Sequence, residues 1–309
     1  MVKLYMTIGL PASGKTYWAE RQDGLVIHSS DAIRAELGDV SDQSRNGEVF
    51  NLLHKRIIES LKNGESCIYD ATNLSSKRRR AFLSMIDSLP CEKVAVVFAV
   101  SPDEIRRRNE SRERKIPGDV IYRMLRQFQP PILDEGWDNI VLVNSPVSIS
   151  ENPLLMVRDI PQNNAHHSLT LLEHARAVCD YVGQYGGPLN AAAYYHDHGK
   201  FYTKEFRDSK GYPTTQAHYY GHENVGAYMY LINALRDYPN DIVAAGLIAW
   251  HMRPYVWDKQ PHVKEKDRQW MSEEFIRQLE LLHEADVEAH YICNNAEKII
   301  IDRAGRIIL

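Results

Sequence analysis

The chain has 309 residues, a length that predicts about two domains. Hydrophobic residues make up 44% of it and charged residues 25%, which is ordinary for a globular protein. The formal net charge of −4 excludes a strongly basic field over the whole surface, so nucleic acid would have to bind a local basic patch such as 77–80 or 106–115.

Short apolar segments alternate with helical patterns in the first half of the chain. Strands are predicted at 2–8, 25–28, 66–69, 93–100 and 139–143, and helices from 14, over 31–37, 43–62 and 75–88, from 102, and over 119–128. Because strands that alternate with helices form a parallel sheet with helices on both faces, this half predicts an α/β domain.

The character of the chain changes at residue 148. Prolines, serines and asparagines predict a linker over 148–163. Helical periodicity follows at 169–185, 189–195, 223–235, 242–252 and 273–290, and weak strand patterns occur only at 299–301 and 307–309. The sequence therefore predicts an α/β domain over 1–147 and an all-α domain over 164–309.

The first predicted strand leads directly into the segment GLPASGKT, which fits GxxxxGK[ST] between a strand and a helix. In such a loop backbone N–H groups around Gly9, Ser13 and Gly14 cradle the phosphates of a nucleotide. Lys15 can reach the β- and γ-phosphates, and the Thr16 hydroxyl can hold Mg²⁺. The motif therefore predicts a site for ATP, or another nucleoside triphosphate, with Mg²⁺.

Further charged residues follow the predicted strands beside this loop. Asp31 and Arg34 share one helix face, where a carboxylate can accept a proton from an attacking hydroxyl and an arginine can clamp a phosphate. The alternative is an N-cap aspartate with a solvated arginine. Asp70 ends the third strand and could hold Mg²⁺ through water. Arg108 and Arg112 lie in an arginine-rich segment that can neutralise a transferring phosphoryl group, or simply form a solvated helix face.

Over roughly the first 147 residues the sequence resembles the 5′-hydroxyl polynucleotide kinase domain of phage and bacterial end-healing enzymes. The shared segments are TIGLPASGKTYWA, the DxxR of Asp31 and Arg34, DATNLSSKRRR, RNESR and QFQPPILDEGWDNIVLV. The resemblance implies that Lys15 and Thr16 bind ATP and Mg²⁺ and that Asp31 is the general base for the 5′-hydroxyl. It also implies that Arg34 grips the adjacent phosphate. Arg112, with Arg114 as the alternative, would contact the transferring phosphate, and Arg108 would contact ATP.

Histidine is frequent in the second half of this chain, which has 13 in all. Leu279 and Leu282 share the helical face of Asp286, so its carboxylate should point inward, where it needs a partner. Imidazoles and carboxylates together suit transition metals, and two close metals could clamp a phosphate ester. For any single histidine the alternative is a surface residue or a satisfied core residue.

The second half resembles the HD phosphohydrolase superfamily, from residue 166 to about 290. The resemblance lies in HHSLTLLEHARAV, YYHDHGK, AHYYGHENVGA, AWHMRP and EADVEAH. It implies one or two metal ions chosen from Mn, Ni, Co, Fe, Zn and Cu. The implied ligands are His174, His196, Asp197 and Asp286 for one metal, and His222 and His251 for a second, with Asp197 as the bridge. Lys200 would contact the scissile phosphate, His166 and His167 could contact substrate, and His218 could replace His222 or contact substrate.

Together the two resemblances imply a bifunctional enzyme that heals nucleic-acid ends. The kinase would phosphorylate 5′-hydroxyl ends, and the second domain would remove 3′-phosphate or 2′,3′-cyclic phosphate from RNA or DNA, so that a ligase can act next. Two alternatives remain. One is a kinase and phosphatase of a free nucleoside, nucleotide or other small molecule. The other is a hydrolase regulated by an ATP-binding module. The presence of Asp31 and Arg34 disfavours this alternative, because a regulatory module needs no base to activate a hydroxyl.

The four cysteines are far apart and show no CxxC spacing, which favours reduced thiols. No stretch of the sequence approaches the length of a membrane span, and the N-terminus leads into a strand rather than a signal peptide. We therefore expect a cytoplasmic protein with no membrane partner.

Overall fold

The structure, a computed structural model, describes residues 1–38, 40, 42, 44–145, 160–164, 169–183, 185–234, 238–290, 300–301 and 307–308. The chain divides into two compact units, Met1–Pro146 and Val147–Leu309.

The first unit is built on a parallel sheet. Its strands are β1 Val2–Gly9, β2 Val26–Ser29, β3 Cys67–Asp70, β4 Cys91–Ala99 and β5 Asn139–Asn144. Its helices are α1 Lys15–Ala19, α2 Ser30–Leu37, α3 Asn46–Lys62, α4 Ser76–Met85, α5 Pro102–Glu110 and α6 Gly118–Leu125, and a 3₁₀ turn covers Leu133–Glu135. The five strands lie in the order β2-β3-β1-β4-β5, and every pairing is parallel. The predicted α/β fold is confirmed.

The two central strands carry the core of this unit. Leu4, Met6 and Ile8 of β1 are fully buried, and β4 is buried continuously from Val94 to its end. Such unbroken apolar burial is expected of a parallel sheet that is covered on both faces. Because the strand order reverses beside β1, the carboxyl ends of β1, β3 and β4 open a crevice in which α/β proteins bind ligands.

One residue of the proposed basic patch at 77–80 belongs to the core instead. The Arg79 side chain is completely buried and makes a two-pronged ion pair with Glu135, at 2.6 Å and 2.8 Å. Trp137 donates its indole N–H to the same carboxylate. Because a buried charge is tolerated only when it is paired and hydrogen-bonded, Arg79 has a structural role and is closed to an outside phosphate.

The second unit is mainly helical. Its elements are α7 Leu171–Val182, α8 Gly187–Tyr195, α9 Lys200–Thr203, β6 Glu205–Arg207, β7 Pro213–His218, α10 His222–Ile232, α11 Tyr238–Trp250, α12 Arg253–Lys259, α13 Pro261–Asp267, α14 Glu273–Ala289, β8 Ile300–Ile301 and β9 Ile307–Ile308. The predicted helical domain is confirmed, and the strand patterns of the tail form an antiparallel pair.

The sequence patterns missed five short elements of this unit, namely α9, α12, α13 and the two strands of the antiparallel β6–β7 hairpin. The prediction that strands of this unit occur only in the C-terminal tail was wrong. Phe206 is the one apolar residue in β6, so this strand lacks the alternation on which strand prediction depends. Its position comes from pairing with β7, which is a tertiary effect.

The described part of the predicted linker contacts the helical unit. Pro161 forms a β-bridge with Thr170, and the Gln162 side chain donates to the carbonyl of Leu169 at 3.3 Å. Asn163 accepts the backbone N–H of Ala217 at 2.9 Å. Residues 146–159 lie outside the described residues. Along the described part of the chain, no helix has the length and apolar character to cross a membrane.

Candidate functional site

The loop after β1 has the shape of a phosphate cradle. Ala12 and Gly14 adopt left-handed backbone angles, with φ of 62° and 97°. A Cβ at Gly9 would lie 2.9 Å from the carbonyl oxygen of Phe98, so the loop needs a glycine to leave the sheet here. The Ser13 hydroxyl is buried and, among the described residues, has no hydrogen-bond partner. A phosphate oxygen in the cradle would supply the acceptor that this hydroxyl needs.

Lys15 and Thr16 meet the end of β3 at this cradle. The Lys15 ammonium is buried and donates to the carbonyl of Leu10 at 2.7 Å. Burial lowers its pKa to about 8, against the nearby charges of Asp70 and Asp31. Thr16 donates its hydroxyl to Asp70 at 2.8 Å, so the predicted Mg²⁺ ligand and the strand-end acid are adjacent.

Asp31 and Arg34 form an ion pair at the start of α2, with 3.0 Å between Arg34 Nη1 and Asp31 Oδ1. The N-cap is Ser29, whose hydroxyl accepts the Asp31 N–H, so the alternative of an N-cap aspartate is wrong. The solvated arginine is wrong too, because Arg34 is buried and also donates to Asn46 at 2.7 Å. The Asp31 side chain is 60% exposed, which leaves its carboxylate open to an incoming hydroxyl.

Two arginines of the predicted lid lie near the cradle. Arg108 donates to the carbonyl of Ser13 at 3.2 Å and pairs with Glu104 at 2.5 Å, which ties α5 to the loop. Arg112 is close enough for its positive charge to contribute to the lowered pKa of Lys15. Lys15, Asp31, Asp70, Arg108 and Arg112 therefore surround one crevice.

In the second unit a first group of possible metal ligands comes from two helices, α7 and α14, and from the turn after α8. His174, His196, Asp197 and Asp286 are all buried, and each offers one atom within 4.8 Å of the others. His174 Nε2 lies 3.0 Å from Asp286 Oδ1 and 3.4 Å from Asp197 Oδ2. Leu279 and Leu282 are fully buried on the same helix as Asp286, as its inward orientation requires.

A second group shares Asp197 with the first. Asp197 Oδ1 lies 3.3 Å from His222 Nε2 and 3.8 Å from His251 Nε2, and the two imidazole nitrogens are 3.2 Å apart. The other oxygen of the same carboxylate, Oδ2, faces His174 and His196. One aspartate thus presents an oxygen to each group.

Backbone carbonyls set the orientation of three of these imidazoles. Nδ1 of His196, His222 and His251 lies 2.9, 2.8 and 2.7 Å from the carbonyls of Ala193, Tyr219 and Ile248, respectively. A carbonyl only accepts, so each Nδ1 carries a proton and each Nε2 points inward, where a metal ion can take the place of a second proton, as in metal-ligating histidines. Burial lowers the pKa of His251 to about 3, which keeps that ring neutral.

The Nε2 atoms of His222 and His251 are only 3.2 Å apart, and their lone pairs repel unless a proton or a metal ion lies between them. The first group of ligands also favours a bound positive charge. Burial lowers the pKa of His196, but the Asp197 and Asp286 carboxylates outweigh burial and raise that pKa to about 10. This set of nitrogen and oxygen donors therefore fits one or two transition-metal ions.

Side chains outside the two groups hold the carboxylates in place. The Lys200 ammonium donates to Asp197 Oδ2 at 2.6 Å and to Gln162 at 3.0 Å, so it reaches the shared ligand itself. Tyr255 donates its hydroxyl to Asp286 Oδ2 at 2.8 Å, which turns Oδ1 toward His174. The sequence offered no signal for Tyr255, because it lies on α12, an element that the patterns missed.

Gly199 and His290 are two further residues that sequence reasoning missed. A Cβ at Gly199 would lie 1.9 Å from the carbonyl oxygen of His222, so only glycine lets α10 approach the turn that carries Asp197. His290 Nε2 lies 3.3 Å from Asp286 Oδ1, and its ring stacks on that of His174. The i, i+4 spacing of His290 from Asp286 could have identified it.

The remaining predicted histidines have different outcomes. His218 stacks on Tyr220 and belongs to neither group within the described residues, so it does not replace His222. His166 and His167 lie outside the described residues. His198 is fully buried against the rings of Tyr194 and Tyr195, and nothing in the structure explains a polar ring at this position.

Comparison with known proteins identifies the class of each unit. The AAA domain family matches residues 4–131, and the HD domain family matches residues 164–304. The chain therefore joins a P-loop kinase-like domain to a helical HD domain. Such a kinase-like domain binds a nucleotide with Mg²⁺, and the HD domain is of a metal-binding type whose cluster is described above.

Individual relatives cover parts of the chain. The L-seryl-tRNA(Sec) kinase of Methanococcus maripaludis is 27% identical over 179 residues, which is 55% of this chain and 69% of that protein. A solved chain of the Pnkp1/Rnl/Hen1 RNA repair complex is 25% identical with a TM-score of 0.35, and the match covers 41% of this chain and 43% of that one. A gluconokinase from Sinorhizobium meliloti 1021 is 16% identical with a TM-score of 0.35, over 48% of this chain and 86% of that one.

Proposed function

We propose that this protein repairs broken nucleic-acid ends through two activities. The P-loop domain transfers the γ-phosphoryl group of ATP to a 5′-hydroxyl, and the HD domain removes a 3′-phosphate or opens and removes a 2′,3′-cyclic phosphate. The proposal is carried by one observation: a hydroxyl-activating pair, Asp31 and Arg34, shares a chain with a two-group His/Asp centre of the kind that hydrolyses phosphate esters.

In the kinase step the oxygen of the acceptor hydroxyl attacks the γ-phosphorus of ATP and ADP leaves. Asp31 takes the hydroxyl proton, which its exposed carboxylate can do while Arg34 holds it at 3.0 Å. Arg34 also has a buried Nε that, among the described residues, lacks a hydrogen-bond partner. A phosphate of the acceptor strand would give this nitrogen a partner, which favours a nucleotide acceptor over an unphosphorylated small molecule.

In the hydrolytic step the chain's residues hold the ions and orient the ester. Bound metal supplies Lewis acidity and a water of lowered pKa. The six proposed ligands are His174, His196, Asp197, His222, His251 and Asp286. Lys200 fixes the bridging carboxylate of Asp197 and brings positive charge to the position where an ester phosphate would bind.

The two activities are complementary because one ribonuclease cut leaves a 5′-hydroxyl on one fragment and a 3′-phosphate or cyclic phosphate on the other. Their products are a 5′-phosphate and a 3′-hydroxyl, which a ligase joins. We therefore expect an RNA or DNA ligase to act on the product.

A second acceptor class remains for the kinase. The relative from Methanococcus maripaludis is named for phosphorylating L-seryl-tRNA(Sec), which carries its hydroxyl on an aminoacyl group rather than at a 5′ end. The free-nucleoside alternative differs in lacking the adjacent phosphate that Arg34 would grip. The kinase assay therefore includes all three acceptors.

The test is end-labelling by purified protein. We expect the protein to transfer labelled γ-phosphate to a 5′-hydroxyl oligonucleotide. We also expect it to release phosphate from 3′-phosphate and cyclic-phosphate ends. An oligonucleotide that already carries a 5′-phosphate is the control. Transfer only to a nucleoside, to another small molecule or to seryl-tRNA would refute the end-repair proposal, and so would an HD domain that is inactive with every transition metal tried.

A further inference from the structure

We propose that the β6–β7 hairpin is a platform on which the single-stranded end of the nucleic acid lies while its terminal phosphate occupies the metal centre. This proposal rests on the proposed function of the HD domain and names its substrate as a nucleic-acid strand rather than a mononucleotide. The surface concerned, here called the hairpin surface, consists of Phe201, Lys204, Phe206, Arg207, Lys210 and Tyr212.

The hairpin surface exposes three aromatic side chains close together in the sequence. Tyr212 is 66% exposed, Phe206 46% and Phe201 39%, all within twelve residues of one another. Exposed aromatic residues are costly in water unless they have a partner, and a nucleobase is a natural one because every base has a flat face to stack on.

Both ends of the hairpin are attached to the proposed metal ligands. On the incoming side Lys200 donates to Asp197, five residues before β6 begins. On the outgoing side β7 ends at His218, and the carbonyl of Tyr219 accepts the Nδ1 proton of His222. Because a strand rises about 3.3 Å per residue, the tip at Tyr212 lies within about 20 Å of His218. A strand whose end occupies the metal centre can therefore reach the tip within a few nucleotides.

The charges of the hairpin surface suit phosphates. Arg207 and Lys210 are basic and exposed. Lys204 Nζ lies 5.9 Å from the Phe206 ring, and its ammonium donates to the Pro161 carbonyl and to Asn163, at 2.6 Å each. The hairpin also carries two acids, Glu205 and Asp208, and Asp208 accepts the backbone N–H groups of Lys210 and Tyr212 at 2.9 Å each, so it serves the turn. Aromatic rings beside cations are the usual combination in proteins that bind single strands without sequence preference.

The test compares substrates that share a reactive end and differ in length. One pair is an RNA of about 12 nucleotides with a 2′,3′-cyclic phosphate and adenosine 2′,3′-cyclic monophosphate. The other is a DNA of similar length with a 3′-phosphate and thymidine 3′-monophosphate. For Phe206→Ala and Tyr212→Ala we expect kcat/KM to fall about 10-fold on the oligonucleotides and to stay unchanged on the mononucleotides.

Tyr181→Ala is the matched control, since Tyr181 is 45% exposed on α7, outside the hairpin. It should leave both substrate classes unaffected. Lys210→Gln should reduce the salt dependence of oligonucleotide binding by about one ion per site.

Three results would contradict the proposal that the hairpin surface binds the strand. Unchanged oligonucleotide kinetics in both aromatic variants would remove it, and an equal loss on the mononucleotides would mean that the rings only support the metal centre. A change of oligomeric state by light scattering, with oligonucleotide kinetics intact, would assign the surface to a second copy of the chain. Failure of the wild type on all four substrates would instead refute the proposed function, so the two failures are distinguishable.

Discussion

The Asp197 carboxylate contacts side chains of both metal-ligand groups. Its two oxygens face different histidine groups, and Lys200 donates to one of them. Burial alone would raise its pKa, but the charges of Lys200 and His196 outweigh burial and hold the pKa well below its ordinary value. The carboxylate is therefore ionised at neutral pH and available as a bridging ligand.

The role of Asp31 can be tested by substitution with alanine. We expect Asp31→Ala to lower the rate of phosphoryl transfer by about 10²–10⁴-fold while leaving ATP affinity largely intact, because loss of a general base affects the transfer step. Steady-state kinetics and ATP titration measure the two effects.

Asp103→Ala is the matched control for this substitution. Asp103 also lies in the first turn of a helix and forms an i, i+3 ion pair, at 2.6 Å with Arg106. Its loss should change neither quantity. A near wild-type rate in Asp31→Ala would remove Asp31 from the mechanism.

Tyr255 is a positioning residue for Asp286. We expect Tyr255→Phe to weaken metal binding by about 10–100-fold, because partners behind a ligand commonly have effects of this size. Chelator competition measures the affinity, and the Tm of the metal-free protein reports whether the fold has changed. Tyr230→Phe is the control, since its hydroxyl donates to Asp241, which belongs to neither metal group. Equal metal affinities in the two variants would contradict the positioning role.

Most of the candidate site residues could be named from the sequence, but the contacts between them could not be predicted. The i, i+3 spacing placed Asp31 and Arg34 on one face, and the structure pairs them. The partnership of Tyr255 with Asp286 spans 31 residues and has no local pattern to announce it.

Among the elements of the second unit, the close approach of α10 to the turn that carries His196 and Asp197 brings the metal ligands together. Gly199 and Gly226 make this approach, and Gly226 N lies 2.7 Å from the position of a Cβ on Gly199. The helix α10 brings in His222, and the turn brings in Asp197. Their 3.3 Å separation is therefore set by a backbone contact that tolerates no side chain.

We expect Gly199→Ala to separate the two metal groups. A Cβ only 1.9 Å from the carbonyl of His222 forces α10 away, so metal content and phosphate release should fall together while kinase activity persists. Elemental analysis and both activity assays measure this. Gly47→Ala is the control, because a Cβ on Gly47 meets no atom within 4 Å. Retention of full metal content in Gly199→Ala would show that the contact is not needed.

The long helices could be predicted from their hydrophobic periodicity, and the short helices and strands could not. The helices α3 and α14 each have 17 residues and carry strong apolar faces. By contrast, α9 has four residues and β6 has three, too few for any period to be evident. These short elements nevertheless connect Asp197 to His222, so the parts of the second unit nearest the centre were the least predictable.

At the scale of the whole molecule, each unit has its own core and its own candidate site. We expect Lys15→Met to abolish kinase activity and spare phosphate release, because Lys15 is a buried residue of the first unit. Asp197→Ala should do the reverse, since it removes a ligand from both metal groups. Labelling of 5′ ends, phosphate release and elemental analysis on the same preparations measure the outcome.

Each variant serves as the folding control for the other activity. If Lys15→Met lost phosphate release in a folded protein, the two units would be coupled, and the alternative of an ATP-controlled hydrolase would gain support. If Asp197→Ala retained full metal content, the two groups would not share this carboxylate.

The amino-acid sequence was enough to predict the order of the two folds and to nominate most of the candidate site residues. The phosphate loop between strand and helix and the inward face of Asp286 are each encoded within about ten neighbouring residues. The packed structure was needed to show which oxygen of Asp197 faces which histidines, that Arg34 is buried and donates to Asn46, and that Gly199 must lack a side chain. The reason is physical: these relations are contacts between elements that local periodicity does not connect, and they exist only once the helices have packed.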